Sequence, residues 1–560
     1  MKRCPQCRRD YTDETLNYCL DDGAELVDGP SSGNESATVF LHETTPPVEA
    51  ATQSQIHATA PESISLPTQR HPTKRPAARL LALLLVVALV LLGGLFSYRY
   101  FSAPSQIESI AVMPFVNESG NPDVEYLSDG MTETLISSLS SVPNLNVKPR
   151  SSVFRYKGKE TDSQTVGKEL NVQALLNGRV VQRGQDISLF VELIDISLNK
   201  VIWSETYNRK QSELVTLQSD IARDVSNRLK SKLSGNDEAK VTKSFTADPE
   251  AYQLFLKGNY YREKYNRDSY QKAIDFYQQA IEKDPKYALA YVGIGFAYNT
   301  AANWYLPSSE AMPKAKAAGV KAIELDDSVA DAYRLLGIYE VWWGMDWPAC
   351  DRNIKRAIEL GAPEAHGAYA FYLMSTGKVD QAVSEFNIDK NNNPLSLNAN
   401  TNAAFGYDCA GRFDEAITQA RHTIELDPNH WGGYEVLGLA YAGKHQYPEA
   451  IAALEKANSL DSNADVKGYL GYVYAISGRA DDARKLIDEL QRPAPGSFIP
   501  ASSLAYIYAG LNDKDKSFEW LNKGLVNDHS GSIANLDPPF QNLRDDPRYK
   551  ELRKRMNLPE

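Results

Sequence analysis

Three cysteines crowd the first 19 residues: Cys4 and Cys7 in CPQC, then Cys19, with Asp22 three residues beyond it. A CxxC turn aims two thiolates at one ion, and a CxxD knuckle adds a third thiolate and a carboxylate oxygen, completing the tetrahedral set that zinc prefers. The spacing predicts a Zn2+ site made of Cys4, Cys7, Cys19 and Asp22, with Asp21 as an alternative fourth ligand. A metal-free remnant and a CxxC redox couple are the competing readings, the second weakened because no thioredoxin-like βαβ pattern surrounds the motif. The two other cysteines, Cys350 and Cys409, stand far from the cluster and from each other, which is not a disulfide framework.

Other chemistry is sparse. The eight histidines leave residues 72–365 without one, so no histidine base can come from that stretch. A phosphate loop, an HExxH, a GxSxG and the protein-kinase motif set are all missing from the sequence. No catalytic residues and no small-molecule substrate are expected, and the chain reads as a non-enzyme. Sixty Lys and Arg against 72 Asp and Glu give a net charge of -12, which argues against a broad nucleic-acid-binding surface. At 560 residues the chain has room for about three to four folded units.

The elements that must carry these residues fall into segments. Residues 80–96 read LLALLLVVALVLLGGLF, and 80–98 at about 1.5 Å per residue span roughly 30 Å of hydrocarbon. One transmembrane helix is expected there. Some 79 residues precede it, which disfavours a cleaved signal peptide. Arg70, Lys74, Arg75 and Arg79 flank it on the amino side, against Arg99 alone beyond it, placing the amino terminus in the cytoplasm. The carboxyl-terminal domains would then lie outside a bacterial cytoplasmic membrane. Residues 29–79, rich in Pro, Ser, Thr, Ala and Gly, read as a disordered linker.

The run CPQCRRDYTDETLNYCLDDGAEL in residues 1–28 resembles the short bacterial zinc-ribbon module. A unit this small cannot fold on an apolar core, so metal would supply its folding free energy. Beyond the helix, residues 105–235 alternate β-branched runs with helical ones. The strand SIAVMPFV, a helix from Ser128 to Ser140 with Asp129 and Glu133 in its first turns, and paired strands around SLNK give the order βαβαβββα. Asp129 and Glu133 read as helix-start charge rather than as a catalytic pair. The stretches IAVMPFVNESGNPDVEYLSDGMTETLISSLS, SSVFRYKG and VQALLNGRVVQRGQDISLFVELIDISLNKVIWSETYNR resemble the TolB amino-terminal-like domain, related to domains of curli secretion and flagellar outer-membrane assembly. That resemblance implies an assembly or protein-binding role.

Residues 245–560 carry a 34-residue period. Ala382, Ala416 and Ala450 are spaced by 34, as are Pro394 and Pro428. Gly295, Gly337, Gly438 and Gly471 recur where two helices must approach closely, and the glycines of GIGFAY fall on this period rather than in a dinucleotide loop. The pattern resembles the tetratricopeptide repeat, TPR, and implies an α-solenoid of about eight units with a carboxyl-terminal cap, whose inner surface binds peptide. In such repeats positions 5 and 9 of the first helix face the groove. Here Phe296, Ile338, Phe371, Phe405, Leu439 and Tyr472 occupy position 9 and Arg334 occupies position 5. A largely apolar peptide-binding groove is expected, with core packing of the same aromatics as the alternative.

The expected fold is thus multidomain: a small zinc ribbon, one transmembrane helix, a TolB-N-like α/β domain and an all-α TPR solenoid. The leading function is a membrane-anchored scaffold binding partner polypeptides, with dimerisation left open. A transmembrane signalling protein with a minimal zinc-ribbon output is the alternative, and a hydrolase a distant third.

Overall fold

The change of rhythm between residues 235 and 245 is a change of architecture in the computed structural model. It describes residues 107–558 apart from 230–234, 265–266, 303–305, 493–500 and 528–537, together with three short strands nearer the amino terminus. Those strands, β1 (Lys2–Arg3), β2 (Asp10–Tyr11) and β3 (Val27–Asp28), form an antiparallel sheet of order β2-β1-β3 in a unit of their own. Cys4, Cys7, Cys19, Asp21, Asp22, the linker and the expected membrane span at 80–98 lie outside the described residues. Among the described residues no helix is long and apolar enough to cross a membrane, and no cluster of side chains could hold a metal ion.

The α/β domain is built on a six-stranded mixed sheet. Its strands are β4 (Ser109–Val112), β5 (Val116–Asn117), β6 (Asn146–Val147), β7 (Ala174–Arg183), β8 (Asp186–Asp195) and β9 (Lys200–Lys210), in the order β6-β4-β7-β8-β9 with β5 also on β7. β4 runs parallel to β6 and β7, while β7, β8 and β9 form an antiparallel meander. β8 alternates buried and open residues along most of its length, so one face of the sheet is covered. The cover comes from α1 (Glu125–Ser140) and α4 (Leu214–Leu229), whose buried residues Leu127, Leu135, Leu217 and Ile221 join the strands in one core. Two shorter helices, α2 (Arg150–Val153) and α3 (Ser163–Leu170), connect the strands. Asp162 caps α3 by accepting from the Thr165 amide, and Asn171, at φ 51°, ends it in the left-handed conformation.

One local reading is corrected. The sequence points to Ser128 as the start of α1, but the helix begins at Glu125, and buried Ser128 donates its hydroxyl to the Glu125 carbonyl one turn back.

After α5 (Gly235–Val241) the chain is an all-helical TPR solenoid. Its helix pairs are α6 (Pro249–Arg262) with α7 (Arg267–Lys283), α8 (Ala288–Ala301) with α9 (Ser308–Leu325), α10 (Ala330–Tyr339) with α11 (Trp347–Glu359), and α12 (Ala365–Ser375) with α13 (Val379–Asn392). Then follow α14 (Leu397–Cys409) with α15 (Phe413–Leu426), α16 (Trp431–Gly443) with α17 (Tyr447–Leu460), α18 (Ala464–Ile476) with α19 (Ala480–Leu490), and α20 (Ala501–Gly510) with α21 (Lys514–Asn527). Small residues set the spacing: Ala382, Ala416 and Ala450 are fully buried, and a Cβ on Gly438 would stand 2.6 Å from Leu454 of the partner helix. A terminal helix, α22 (Pro547–Arg555), closes the array. The Trp347 indole donates to the Met556 carbonyl at 2.8 Å, which ties the end of the chain to the third pair across 209 residues.

The α/β domain and the first repeats share a core. One continuous apolar cluster runs from Ile107 through the sheet into Leu256, Tyr277 and Tyr287 of the solenoid. The contact is built by α1 lying on α6, where the Thr134 and Tyr252 hydroxyls share a hydrogen bond at 3.1 Å. A Cβ on Gly130 would stand 2.7 Å from Leu256, so glycine here admits the neighbouring side chain.

Candidate functional site

The seating of α1 on the first helices of the solenoid leaves a cleft of about 610 Å3. α1 and α2 form one wall. The opposite wall consists of α6, α8 and α10, the first helices of three successive pairs, together with residues 360–364. Tyr252, Phe255, Val292 and Phe296 give it an apolar floor, and charged residues from both sides meet above.

Those charges form two linked groups. In the first, Arg150 reaches Glu263 through Nη1 at 2.9 Å and lies with Nε 3.8 Å from Glu133. Arg262 brings Nη2 to 3.4 Å from Glu133 and 3.2 Å from Glu263. In the second, Arg334 meets Asp331 through Nε at 2.8 Å and Glu364 through Nη1 at 3.3 Å. The ring of Phe296 links the groups: the Arg334 guanidinium lies 4.4 Å and that of Arg262 5.9 Å from its centroid. Arg150 is likewise held 3.8 Å over the Phe154 ring. Such cation–π contacts fix guanidinium planes and leave their N–H edges for hydrogen bonding.

Glu133 is the group most affected by this setting. Only 22% of its side chain is open, and burial, with repulsion from Glu263 added, pushes its carboxyl up to about 7 against the pull of Arg262 and Arg150. Asp129, one turn earlier, is raised by burial against the opposing pull of Lys157, which it meets at 2.6 Å. In sequence both acids read as helix-start charge. They are instead paired, one with the lysine of a neighbouring loop and the other with two arginines from distant segments. Loop formation does account for Asn117, Ser119 and Gly120: Asn117 Oδ1 accepts from the Ser119 amide, the Ser119 hydroxyl accepts from the Gln182 amide, and Gly120 has φ 69°.

Two of the seven groove residues singled out in the sequence, Phe296 and Arg334, line this cleft. The other five are distributed along later helices. Ile338 is half-buried on α10, and Phe371 sits between Trp342 at 5.2 Å and Phe386 at 5.1 Å. Phe405 and Tyr472 are half-buried against the second apolar core, and Leu439 is 2% exposed within it. Glu133, Arg150, Arg262 and Glu263 escape sequence reading because no periodic signal connects them; Arg262 and Glu263 merely end a helix whose register the repeat sets.

Residues 105–224 match the family model described as HilA/YgeH-like transcriptional regulator, second domain, and residues 410–465 and 436–498 match that of the tetratricopeptide repeat. Putative adenylate cyclase 3 of Rhizobium meliloti (strain 1021) is 31% identical over 236 residues, covering 42% of this chain and 40% of that protein. Tetratricopeptide repeat protein 37 of Xenopus laevis is 24% identical over 247 residues, covering 42% of this chain and 15% of that one. The chain therefore spans less than half the length of these curated relatives. Among solved structures, PilF of Pseudomonas aeruginosa is 17% identical, with 38% of this chain and 94% of that chain covered and a TM-score of 0.30. A thermophilic TPR protein of Thermus thermophilus is 22% identical, with 35% of this chain and 97% of that chain covered and a TM-score of 0.26.

Proposed function

We propose that the chain is a membrane-anchored scaffold for protein–protein interactions, whose TPR solenoid binds partner polypeptides. The observation that carries this reading is the stack of helix pairs, which presents a long surface of first helices with half-buried aromatics such as Phe371, Phe405 and Tyr472. Side chains of that kind supply apolar anchoring area at low cost in conformational entropy. In this proposal residues 80–98 span a bacterial cytoplasmic membrane, the α/β domain and solenoid lie outside it, and Cys4, Cys7, Cys19 and Asp22 hold Zn2+ on the cytoplasmic side. The TolB-like resemblance of residues 105–235 fits an envelope assembly role. The reading assigns the chain no catalytic step and leaves homodimerisation open.

Proximity labelling tests it. A labelling enzyme fused at the carboxyl end is expected to mark extracytoplasmic proteins and one at the amino end cytoplasmic ones. The same cytoplasmic set from both fusions would defeat the anchored scaffold.

A second reading is favoured by one observation: the α/β region matches a model named for a transcriptional regulator, and a relative over 42% of the chain is named as a putative adenylate cyclase. On this reading the α/β domain and solenoid form the sensory part of a signalling protein, and the amino-terminal ribbon contacts the output. Replacing Cys4 and Cys7 by Ser would then alter transcription without changing what the solenoid retains; unchanged transcription would remove it.

A further inference from the structure

We propose that the cleft between α1 and the first helices of the first three repeats is a binding site for a carboxylate carried on an apolar body, touching the α/β domain and the solenoid at once. This goes beyond the scaffold reading, which requires only the outer run of repeats and stands or falls separately.

The size and the walls suit such a ligand. A volume of about 610 Å3 falls among ligand sites of roughly 300–1,000 Å3, which are mostly apolar with a few placed polar groups. Phe154, Phe255, Leu289 and Val292 supply apolar wall. Three guanidinium groups converge from α2, α6 and α10, so no one element makes the site.

Their hydrogen-bonding capacity is not exhausted. Each guanidinium offers five N–H donors. Arg150 uses Nη1 on Glu263, Arg262 uses Nε on Glu263 and Nη2 on Glu263 and Glu133, and Arg334 uses Nε on Asp331. Arg150 Nε is buried and makes no hydrogen bond. Among the described residues the hydrogen bonds of these three arginines do not use Arg150 Nη2, Arg262 Nη1 or Arg334 Nη2. A carboxylate matches the guanidinium fork in shape and charge.

The four carboxylates present limit the charge of the guest. Glu133, Glu263, Asp331 and Glu364 offset the three arginines, and Lys240 and Lys243, which also line the cleft, are paired with Asp237 at 4.0 Å and Asp326 at 2.6 Å, so little positive charge is left for a polyanion. A single negative charge is accommodated if one of the four takes up a proton. Glu133 is poised to do so, its carboxyl held near 7 with Arg150, Arg262, Glu263 and Glu364 facing it and the Tyr252 and Tyr277 phenols close by. Binding is therefore linked to proton uptake.

The carboxylate could come from a free organic acid or from the end of a polypeptide, and titration calorimetry on the full-length chain separates the two. The probes are 4-phenylbutyrate and its amide, and a pentapeptide ending in Phe as free acid and as amide. At least one acid is expected to bind about ten-fold more tightly than its amide, a difference of about 1.4 kcal/mol. Its affinity should rise from about pH 8 to about pH 6, with protons taken up from the buffer. Glu133→Gln should abolish the proton uptake and the dependence of binding on pH, and Arg334→Gln, checked for intact helicity by circular dichroism, should lose the preference for acid over amide. Binding of the peptide acid alone identifies a chain end as the source; binding of both acids identifies the carboxylate itself. Equal binding of acids and amides, or no heat from either acid at about 5 mM, overturns the site. Equal binding of acid and amide in both pairs would do so while leaving the scaffold reading intact.

Discussion

Glu133 illustrates how far a residue's role can move once the chain is folded. In sequence it is an acid near a helix start, and nothing within a turn or two distinguishes it from Asp129. In the structure Arg262 and Arg150, 129 and 17 positions away, meet it in a cleft where burial still favours its neutral form. The folded pKa of about 7 lies above the ordinary carboxyl value of 4.5, so the neutral group's contribution is fully present below about pH 4.5 and is lost as pH rises through about 7. At about 1.4 kcal/mol per unit, the wild type should lose about 3 kcal/mol more stability than Glu133→Gln between about pH 5 and pH 8. Denaturant unfolding at the two pH values measures this; parallel losses in the two proteins would show that Glu133 does not titrate in the fold. Gly293 is the opposite case, since its reading as a packing residue is available in the sequence. A Cβ there would stand 2.5 Å from the fully buried Tyr277 ring, in keeping with a repeat position and not with a nucleotide loop.

At the scale of elements, long periodic segments are readable and short ones are not. The 34-residue spacing of Ala382, Ala416 and Ala450 reflects a steric need repeated in each pair, so it survives in the residue types themselves. The strands of the meander are legible for a similar reason, because β8 alternates between a covered and an open face. By contrast β5, α2 and α5 are only 2, 4 and 7 residues long, too short for a period to register, and their place depends on the elements around them. The terminal cap is an element whose partner could not be read from the chain. Phe540, Leu543, Tyr549, Leu552 and Met556 are buried in the same cluster as Trp347 and Cys350, so the end of the solenoid supports its third pair. Trp347→Phe removes the hydrogen bond to the Met556 carbonyl and leaves that acceptor buried, at an expected loss of about 1–3 kcal/mol. Hydrogen exchange should show α22 and the start of α11 losing protection together; loss confined to α11 would mean that the cap does not depend on the contact.

For the whole molecule, the decisive feature is that the α/β domain and the first repeats are not independent. Sequence reading separates them at a change of rhythm, but the core runs across it because α1 is buried on the side it turns to α6 as well as on the side it turns to the sheet. Nothing local records such a contact, which joins residues more than 100 positions apart. Calorimetry of the full-length chain should therefore show the α/β domain and the first two pairs unfolding in a single transition, and Leu256→Ala should lower that transition by the about 2–5 kcal/mol expected for a large-to-small change in a core. Two transitions, with only the solenoid one shifted, would show that the shared core is not cooperative.

On the scaffold proposal, polypeptide binding falls on the first helices of the later repeats, where Phe371, Phe405 and Tyr472 are half-buried. A photoreactive benzoylphenylalanine placed in cells at Thr401, half-buried on α14, should yield discrete polypeptide adducts. The same group at Arg484, 63% exposed on the second helix α19, should yield none above background. Adducts in equal amount at both positions, or none at Thr401, would contradict a scaffold that grips its partners along the first helices.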